Sequence, residues 1–151
     1  MIDKLAFPRT AKYDEHWIRE NALGENALCQ AECLARHLPF SVGMRVLELG
    51  CGKATSSIFL AREFEVQVWA TDSGTSATEN FQRATALKSA TRVFPVRADA
   101  HSLPFAREFF DAVVAIDSYR CSSHADVKIR EFHLRAERIE TTSLRTVMAT
   151  L

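Results

Sequence analysis

The stretch Met44 to Thr55, MRVLELGCGKAT, restricts the fold more than any other part of this chain. Apolar, strand-favouring residues run into Glu48, Gly50 and Gly52 bracket Cys51, and helical spacing begins at Thr55, so the order is strand, tight glycine turn, helix. Glycine has no Cβ, takes positive φ readily and lets a ligand lie against bare backbone. The helix that follows offers N–H groups at its N-terminus. This is the build of a turn that binds a nucleotide-like ligand at the carboxyl end of a strand.

The rest of the chain repeats the same alternation. Ser56 to Phe64 carries Ile58, Phe59, Leu60 and Phe64 in helical register, and Val66 to Thr71 is a β-branched and aromatic run ending at Asp72. Ser73 to Ser76 supply turn and cap chemistry for a helix running to about Lys88, with Phe81, Ala84 and Leu87 on its apolar face. A third strand is predicted over Arg92 to Arg97. The Ala98-Asp99-Ala100-His101 loop then leads through Leu103-Pro104-Phe105 to a fourth, Phe110 to Ile116, which ends at Asp117. Strands alternating with helices at βαβ spacing, with nearly continuous apolar runs, predict an α/β fold: an open parallel sheet covered on both faces.

Upstream, residues 1–12 read as a loose, flexible leader. From Asp14 apolar residues recur at threes and fours (Trp17, Ile18, Leu23, Ala27, Leu28, Ala31, Leu34, Leu38), interrupted near Gly24. That pattern predicts either two helices meeting at Gly24-Glu25-Asn26, the second capped by Asn26, or one kinked helix. Pro39 ends it.

Composition narrows the function classes. With 151 residues, 47% hydrophobic and 25% charged, the chain suits one soluble domain. Lys and Arg balance Asp and Glu at 19 each, so no overall field draws it to nucleic acid or an anionic membrane. No apolar run approaches the roughly 20 residues of a membrane span, and the start lacks a secretory build, so a cytoplasmic protein is expected. Cys29, Cys33, Cys51 and Cys121 form no CxxC pair and are expected to be free thiols. Cys29 and Cys33 share a helix face, but no further ligands accompany them, and no metal site is predicted.

Three of the four predicted strands are followed by an aspartate, Asp72, Asp99 and Asp117. In an open parallel sheet the carboxyl ends of the strands form the ligand crevice, so these acids should face the side of the glycine turn. Asp72 lies 20 residues beyond Gly52, the spacing at which an acid accepts hydrogen bonds from ribose hydroxyls. A dinucleotide site usually shows G-x-G-x-x-G, yet position 55 is Thr, and Glu48 just before the turn would repel phosphate while suiting a cationic amino-acid group. Both departures disfavour an NAD-dependent oxidoreductase.

The series VLELGCGKAT, VWATD, VRADAHSLPF and FFDAVVAIDSY, in order over Tyr13 to Tyr119, resembles the motifs of class I S-adenosylmethionine-dependent methyltransferases of the small-molecule type. The resemblance implies a Rossmann-like sheet with strand order 3-2-1-4 and S-adenosyl-L-methionine as cofactor. It implies that Glu48, Gly50, Cys51 and Gly52 cradle the methionine portion, that Asp72 with Ser73 holds the ribose, and that Asp99 and Ala100 contact the adenine. Asp117 would lie beside the donor methyl group. Asp117, Tyr119 and His101 are then the candidate catalytic groups, and Tyr13, His16 and Trp17 resemble part of an N-terminal lid, although core packing is the better reading of Trp17. Members that act on base amino groups resemble one another in an Asn/Asp-Pro-Pro-aromatic motif, where this chain has Asp117-Ser118-Tyr119-Arg120. A small-molecule or lipid-like acceptor is therefore expected, not nucleic acid.

Beyond Tyr119 the likeness ends. Cys121 to Leu151 holds neither Gly nor Pro and shows two helical stripes, Ile129, Phe132, Ala136 and Ile139, then Leu144, Val147, Met148 and Leu151. The expected organisation is a leader (1–12), a cofactor-binding domain (13–120) and a helical tail (121–151), with the sheet truncated to about four strands. A fourth strand left as an edge predicts weak stability, self-association as a homo-oligomer through that edge, or pairing with another chain. Loss of the region that usually completes the acceptor pocket makes a binding domain with little turnover the alternative to an active enzyme.

Overall fold

The computed structural model describes residues 2–106 and 109–116, and the backbone of 145–149. Two short helices, α1 (Glu15–Asn21) and α2 (Ala27–Ala35), precede β1 (Arg45–Leu49), α3 (Thr55–Phe64), β2 (Gln67–Asp72), α4 (Ala77–Ala86), β3 (Val93–Arg97), β4 (Ala112–Ile116) and β5 (Arg145–Ala149). All strand pairs are parallel, in the order β3-β2-β1-β4-β5. The order 3-2-1-4 thus holds, extended by one strand.

That strand corrects the reading of the tail. Residues 145–149, expected on a helix with Leu144 and Leu151, pair with β4 over Ala112↔Arg145 to Ile116↔Ala149. The run Arg145-Thr146-Val147-Met148-Ala149 holds two β-branched residues, and ladder hydrogen bonds to β4 reward them where a helix would not. The outer side of β4 is therefore filled, which removes the ground for self-association through it. The stripe from Ile129 to Ile139 lies outside the described residues.

Caps set the helix boundaries. Asp14 Oδ1 accepts from the Trp17 N–H at 2.8 Å, and Asn26 Oδ1 accepts from Leu28 and Cys29 at 3.1 and 3.3 Å. Two helices meeting at residues 22–26, not one kinked helix, is the outcome. Pro95 sits inside β3, which has no outer neighbour among the described residues, the kind of strand that tolerates a missing donor.

The sheet separates two apolar clusters. Val46, Val68, Val93 and Val114 face Leu28, Leu34, Ile58, Phe59 and Ala84, so α2, α3 and α4 all lie on this side. On the opposite face Leu47, Leu49, Val113 and Ala115 meet Trp69, Leu103, Phe105, Phe109 and Phe110, with T-shaped ring pairs such as Trp69 with Phe109 at 5.0 Å. Among the described residues this face is covered by the loop before β4, not by a helix as the expected two-sided covering implied. On α4 the buried positions are Asn80 and Ala84, while Phe81 is 49% exposed, so the helix is turned from its expected apolar face. The reason is polar: Asn80 has partners inward.

Residues 9–12, expected to be loose, are docked, while Leu5 stays 95% exposed. Glu32 accepts from the Arg9 and Thr10 N–H groups at 3.0 and 2.8 Å and from the Thr10 hydroxyl at 2.7 Å. Glu63 receives Lys12 Nζ at 2.8 Å and the Tyr13 hydroxyl at 3.3 Å. Burial drives the Glu32 carboxyl upward, but the Thr10 hydroxyl, the two N–H donors and Arg36 outweigh it and hold it below the usual range.

Candidate functional site

β1 is central in the sheet, and its carboxyl end delivers the glycine turn. Gly50 and Gly52 have φ of 68° and 52°, and Ala54 follows at 57°, three left-handed residues within five positions. Glycine meets that demand at two of them without the steric cost any other residue carries. The turn is closed by Ala54 N–H donating to Cys51 O at 2.8 Å and by Cys51 N–H donating to Thr71 O at 3.0 Å. No side chain caps α3, so its first turn opens toward the turn and the space above it.

A cavity of about 400 Å³ lies there, walled by Gly50, Cys51, Gly52, Lys53, Thr55 and Ser56 on one side and Asp72, Ser73 and Gly74 on another. Ile18, Asn21 to Leu28 and Ile116 close it. The volume is within the ~300–1,000 Å³ range of small-molecule pockets. The glycines, Cys51, Asp72 and Ser73 are thus brought together as the sequence predicts.

Asp72 is the best-anchored acid of the site. Its Oδ2 accepts from the Gly52 N–H at 2.9 Å, and its Oδ1 accepts from the Gly74 and Thr75 N–H groups, each at 2.8 Å. Burial drives its pKa upward, but these three donors and the Thr75 hydroxyl outweigh burial and hold the carboxyl below its usual range. It is therefore a fixed anion that ties the β1 turn to the β2 turn. A carboxylate has about four lone-pair positions, so a ligand hydroxyl on Asp72 displaces a weaker donor, and the Thr75 hydroxyl is the replaceable one.

Glu48 is not in the cavity wall. Its side chain is 0% exposed and turns toward α3, where both carboxyl oxygens accept hydrogen bonds from the Ser56 and Ser57 hydroxyls. This corrects the expectation of direct contact with a cationic ligand group: strand alternation puts Glu48 on the face of Val46, under the helix. Burial pushes its pKa to about 7 against the ordinary 4.5, with the two serine hydroxyls pulling the other way. Cys51 is also buried, and burial, then the Glu48 and Asp72 carboxyls, push its thiol well above the ordinary value.

Asp99, Ala100 and His101 stand on the exposed loop after β3 and do not line the cavity. The Ala98 N–H donates to Asp72 O at 3.1 Å, which sets that loop beside the β2 turn at the same end of the sheet. Asp99 Oδ1 accepts from the His101 N–H at 2.8 Å and lies 2.7 Å from His101 Nδ1. Asp117 and Tyr119 lie outside the described residues. Tyr13 and Trp17 pack against the core at Phe59 and its neighbours, and His16 pairs with Glu20 on the surface, so none of the three lines the cavity. The cavity face of the N-terminal segment is Ile18 and the corner 21–28 instead.

Several contributors carried no motif. Leu23 lies over the turn so closely that a Cβ on Gly52 would stand 2.7 Å from its Cδ1. Asn80, 1% exposed, donates to Gly52 O at 2.8 Å, and Lys53 Nζ donates to Glu20 O at 2.9 Å. The one available signal was Asn80 breaking the apolar spacing of α4, three residues before Arg83.

An open parallel sheet with a glycine turn after its first strand and a fixed acid after its second defines the Rossmann-like nucleotide-binding class. Residues 46–136, more than half of the chain, match the family described as methyltransferase domain, and the chain belongs to that family, with the class I architecture. No protein of curated function matches the sequence. Solved structures do. The 4+2 cyclase SpnF is 27% identical, with a TM-score of 0.61, over 72% of this chain and 40% of its own. A geranyl diphosphate methyltransferase solved with GPP and sinefungin is 25% identical, with a TM-score of 0.53, over 57% of this chain and 32% of its own. Geranyl diphosphate C-methyltransferase from Streptomyces coelicolor A3(2), solved with Mg2+, geranyl-S-thiolodiphosphate and S-adenosyl-L-homocysteine, shares the fold at 24% identity and a TM-score of 0.53, over 57% and 32% of the two chains. The chain thus spans less than half the length of these structural relatives. No helix among the described residues is long and apolar enough to cross a membrane.

Proposed function

We propose that the chain binds S-adenosylmethionine in the cavity over the glycine turn and transfers its methyl group to a small-molecule or lipid-like acceptor. The observation that carries this reading is the joining of Gly52 to Asp72 across two strand ends, a bare-backbone wall facing a fixed anion. The residues suit the cofactor in kind: Gly50 and Gly52 leave room for an extended group, Asp72 accepts from a hydroxyl, and a single fixed carboxylate favours a cationic ligand over a pyrophosphate.

The cofactor, when bound, supplies an activated methyl group on a sulfonium. The chain's own task is then to hold and orient two partners and exclude water. The glycine turn and Asp72 hold one, and the corner 22–26 shuts the cavity from above. Among the described residues His101 is the candidate base, its Nδ1 oriented by Asp99, for an acceptor that reaches the loop after β3. Asp99 and Ala100 would meet only a ligand that extends past the cavity toward that loop. Asp117 and Tyr119 are proposed to complete the acceptor side.

A second reading is a cofactor-binding domain with little turnover. It is favoured by a cyclase, the 4+2 cyclase SpnF, among its structural relatives. Equilibrium dialysis with tritiated S-adenosylmethionine, followed by assay of methyl transfer over a panel of small acceptors, decides. Binding that Gly50→Val abolishes, with transfer, supports the first reading; binding without transfer supports the second; no binding, with retention of NADH, overturns both.

A further inference from the structure

The proposed function leaves unexplained a polar chain that runs from the glycine turn into the wall over the cavity. Gly52 O accepts from Asn80 Nδ2 at 2.8 Å, and Asn80 Oδ1 accepts from an Arg83 terminal nitrogen at 2.8 Å. Arg83 Nε then donates to Asn21 Oδ1 at 3.0 Å, and Asn21 Nδ2 donates to Trp17 O at 2.9 Å inside α1. Glu79, one turn back on α4, lies 3.4 Å from the other terminal nitrogen and steadies the guanidinium. Three segments distant in sequence are thereby joined: the turn after β1, α4 and α1.

The route is not a surface accident. Asn80 is 1% exposed, so its amide must spend its donors and acceptor inside the protein, and the Gly52 carbonyl and Arg83 are the partners that meet it. The planar guanidinium reaches two acceptors at fixed directions, a task for which a lysine ammonium is unsuited. Lys53 Nζ, from the turn itself, also donates to the Glu20 carbonyl at 2.9 Å, so the end of α1 is tied to the turn by a second contact. Beside these contacts Leu23, 69% exposed, overhangs Gly52.

We infer that Asn80 and Arg83 are positioning residues for the cofactor, and that the α1–α2 corner is a latched wall whose docking is coupled to the shape of the glycine turn. Asn80 fixes the Gly52 carbonyl, and Arg83 makes that placement depend on Asn21. A ligand in the cavity touches both the turn and the corner, so the energy that orders one orders the other. This rests on the cofactor reading for its ligand, but the latch itself is a property of the free protein.

The experiment uses the full chain with S-adenosylhomocysteine as the probe. Arg83→Ala and Asn21→Ala each weaken binding by about three- to tenfold, and the double variant is no weaker than the worse single one, because they break one chain. Arg83→Lys restores little, since one ammonium cannot replace the fork. Asn80→Asp, which keeps the size but removes the donor to Gly52 O, weakens binding at least as much as Arg83→Ala. Amide hydrogen exchange of the free protein supplies the independent readout: Arg83→Ala speeds exchange at residues 20–28 and leaves β1 and β2 unchanged. Strictly multiplicative losses, full rescue by lysine, or unchanged exchange at the corner overturns the inference. Failure of the wild-type protein to bind the probe overturns the cofactor reading alone, and exchange then still judges the latch.

Discussion

Glu48 is a carboxyl with no exposed surface whose hydrogen bonds among the described residues are to the hydroxyls of Ser56 and Ser57. Two neutral hydroxyls do not repay the hydration an ionised carboxylate loses, so its pKa stands at about 7 against 4.5. Between those values the native protein keeps the proton and the unfolded chain releases it. Stability from this group is therefore greatest below about pH 4.5 and falls as pH rises to about 7, after which the loss is complete. A difference of roughly 2.5 in pKa corresponds to about 3 kcal/mol, an upper figure for a buried group. Glu48→Gln removes the titration while keeping the shape, and the serine hydroxyls can accept from an amide as readily as they donate. Urea unfolding of both proteins at pH 5 and pH 8 isolates the effect, because every other group cancels in the difference. Relative to wild type, Glu48→Gln is expected to gain about 2–3 kcal/mol on going from pH 5 to pH 8. A difference that does not change with pH, or changes in the opposite sense, refutes the reasoning and implies a cation or water compensating the charge.

Three further outcomes follow from the same geometry. Asp72→Ala should lower the stability of the free protein by about 1–3 kcal/mol as well as weaken cofactor binding, since three backbone N–H groups lose their acceptor; thermal unfolding and dialysis read the two effects, and an unchanged melting temperature contradicts the anchoring role. Gly52→Ala should destabilise by about 1–2 kcal/mol for its left-handed φ and displace Leu23, seen as faster proteolysis within residues 20–26. Glu32→Gln should release the segment before Tyr13 to limited proteolysis at neutral pH. In the wild type the stability Glu32 adds is present above about pH 4.5 and lost on acidification through its lowered pKa, so the same release appears in acid.

What could be read from the sequence was local or periodic. Strand–turn–helix at Met44 to Thr55 is written in adjacent residues, and the order β3-β2-β1-β4 is what the resemblance of the ordered motifs to class I methyltransferases implied. Asn26 as a cap and Asp72 beside Gly52 were legible for the same reason, a short range or a fixed spacing. The failures were tertiary. Residues 145–149 carry a helical stripe and a β-branched run together, and only the open side of β4 decides between them. Glu48 is one residue from a face that borders the cavity, and period-two alternation sends it beneath α3 instead. Phe81 looked like core because apolar residues usually are, but Asn80 won the inward position through its bonds to Gly52 and Arg83. Tyr13, expected in a lid, instead packs its ring on Phe59 at 5.6 Å, while Trp17 packs against the core as expected of it.

The central claim is that the ligand occupies the space between the glycine turn and the β2 turn. At 17.0 kDa the protein suits two-dimensional amide NMR, and titration with S-adenosylhomocysteine tests the claim residue by residue. The account predicts saturable shifts largest at Gly50 to Lys53 and Ser73 to Thr75, with smaller ones at residues 22–26. Absence of shifts at saturating ligand, or shifts confined to the cavity near Arg9, Arg36 and Phe64 on the far side of α2, contradicts it.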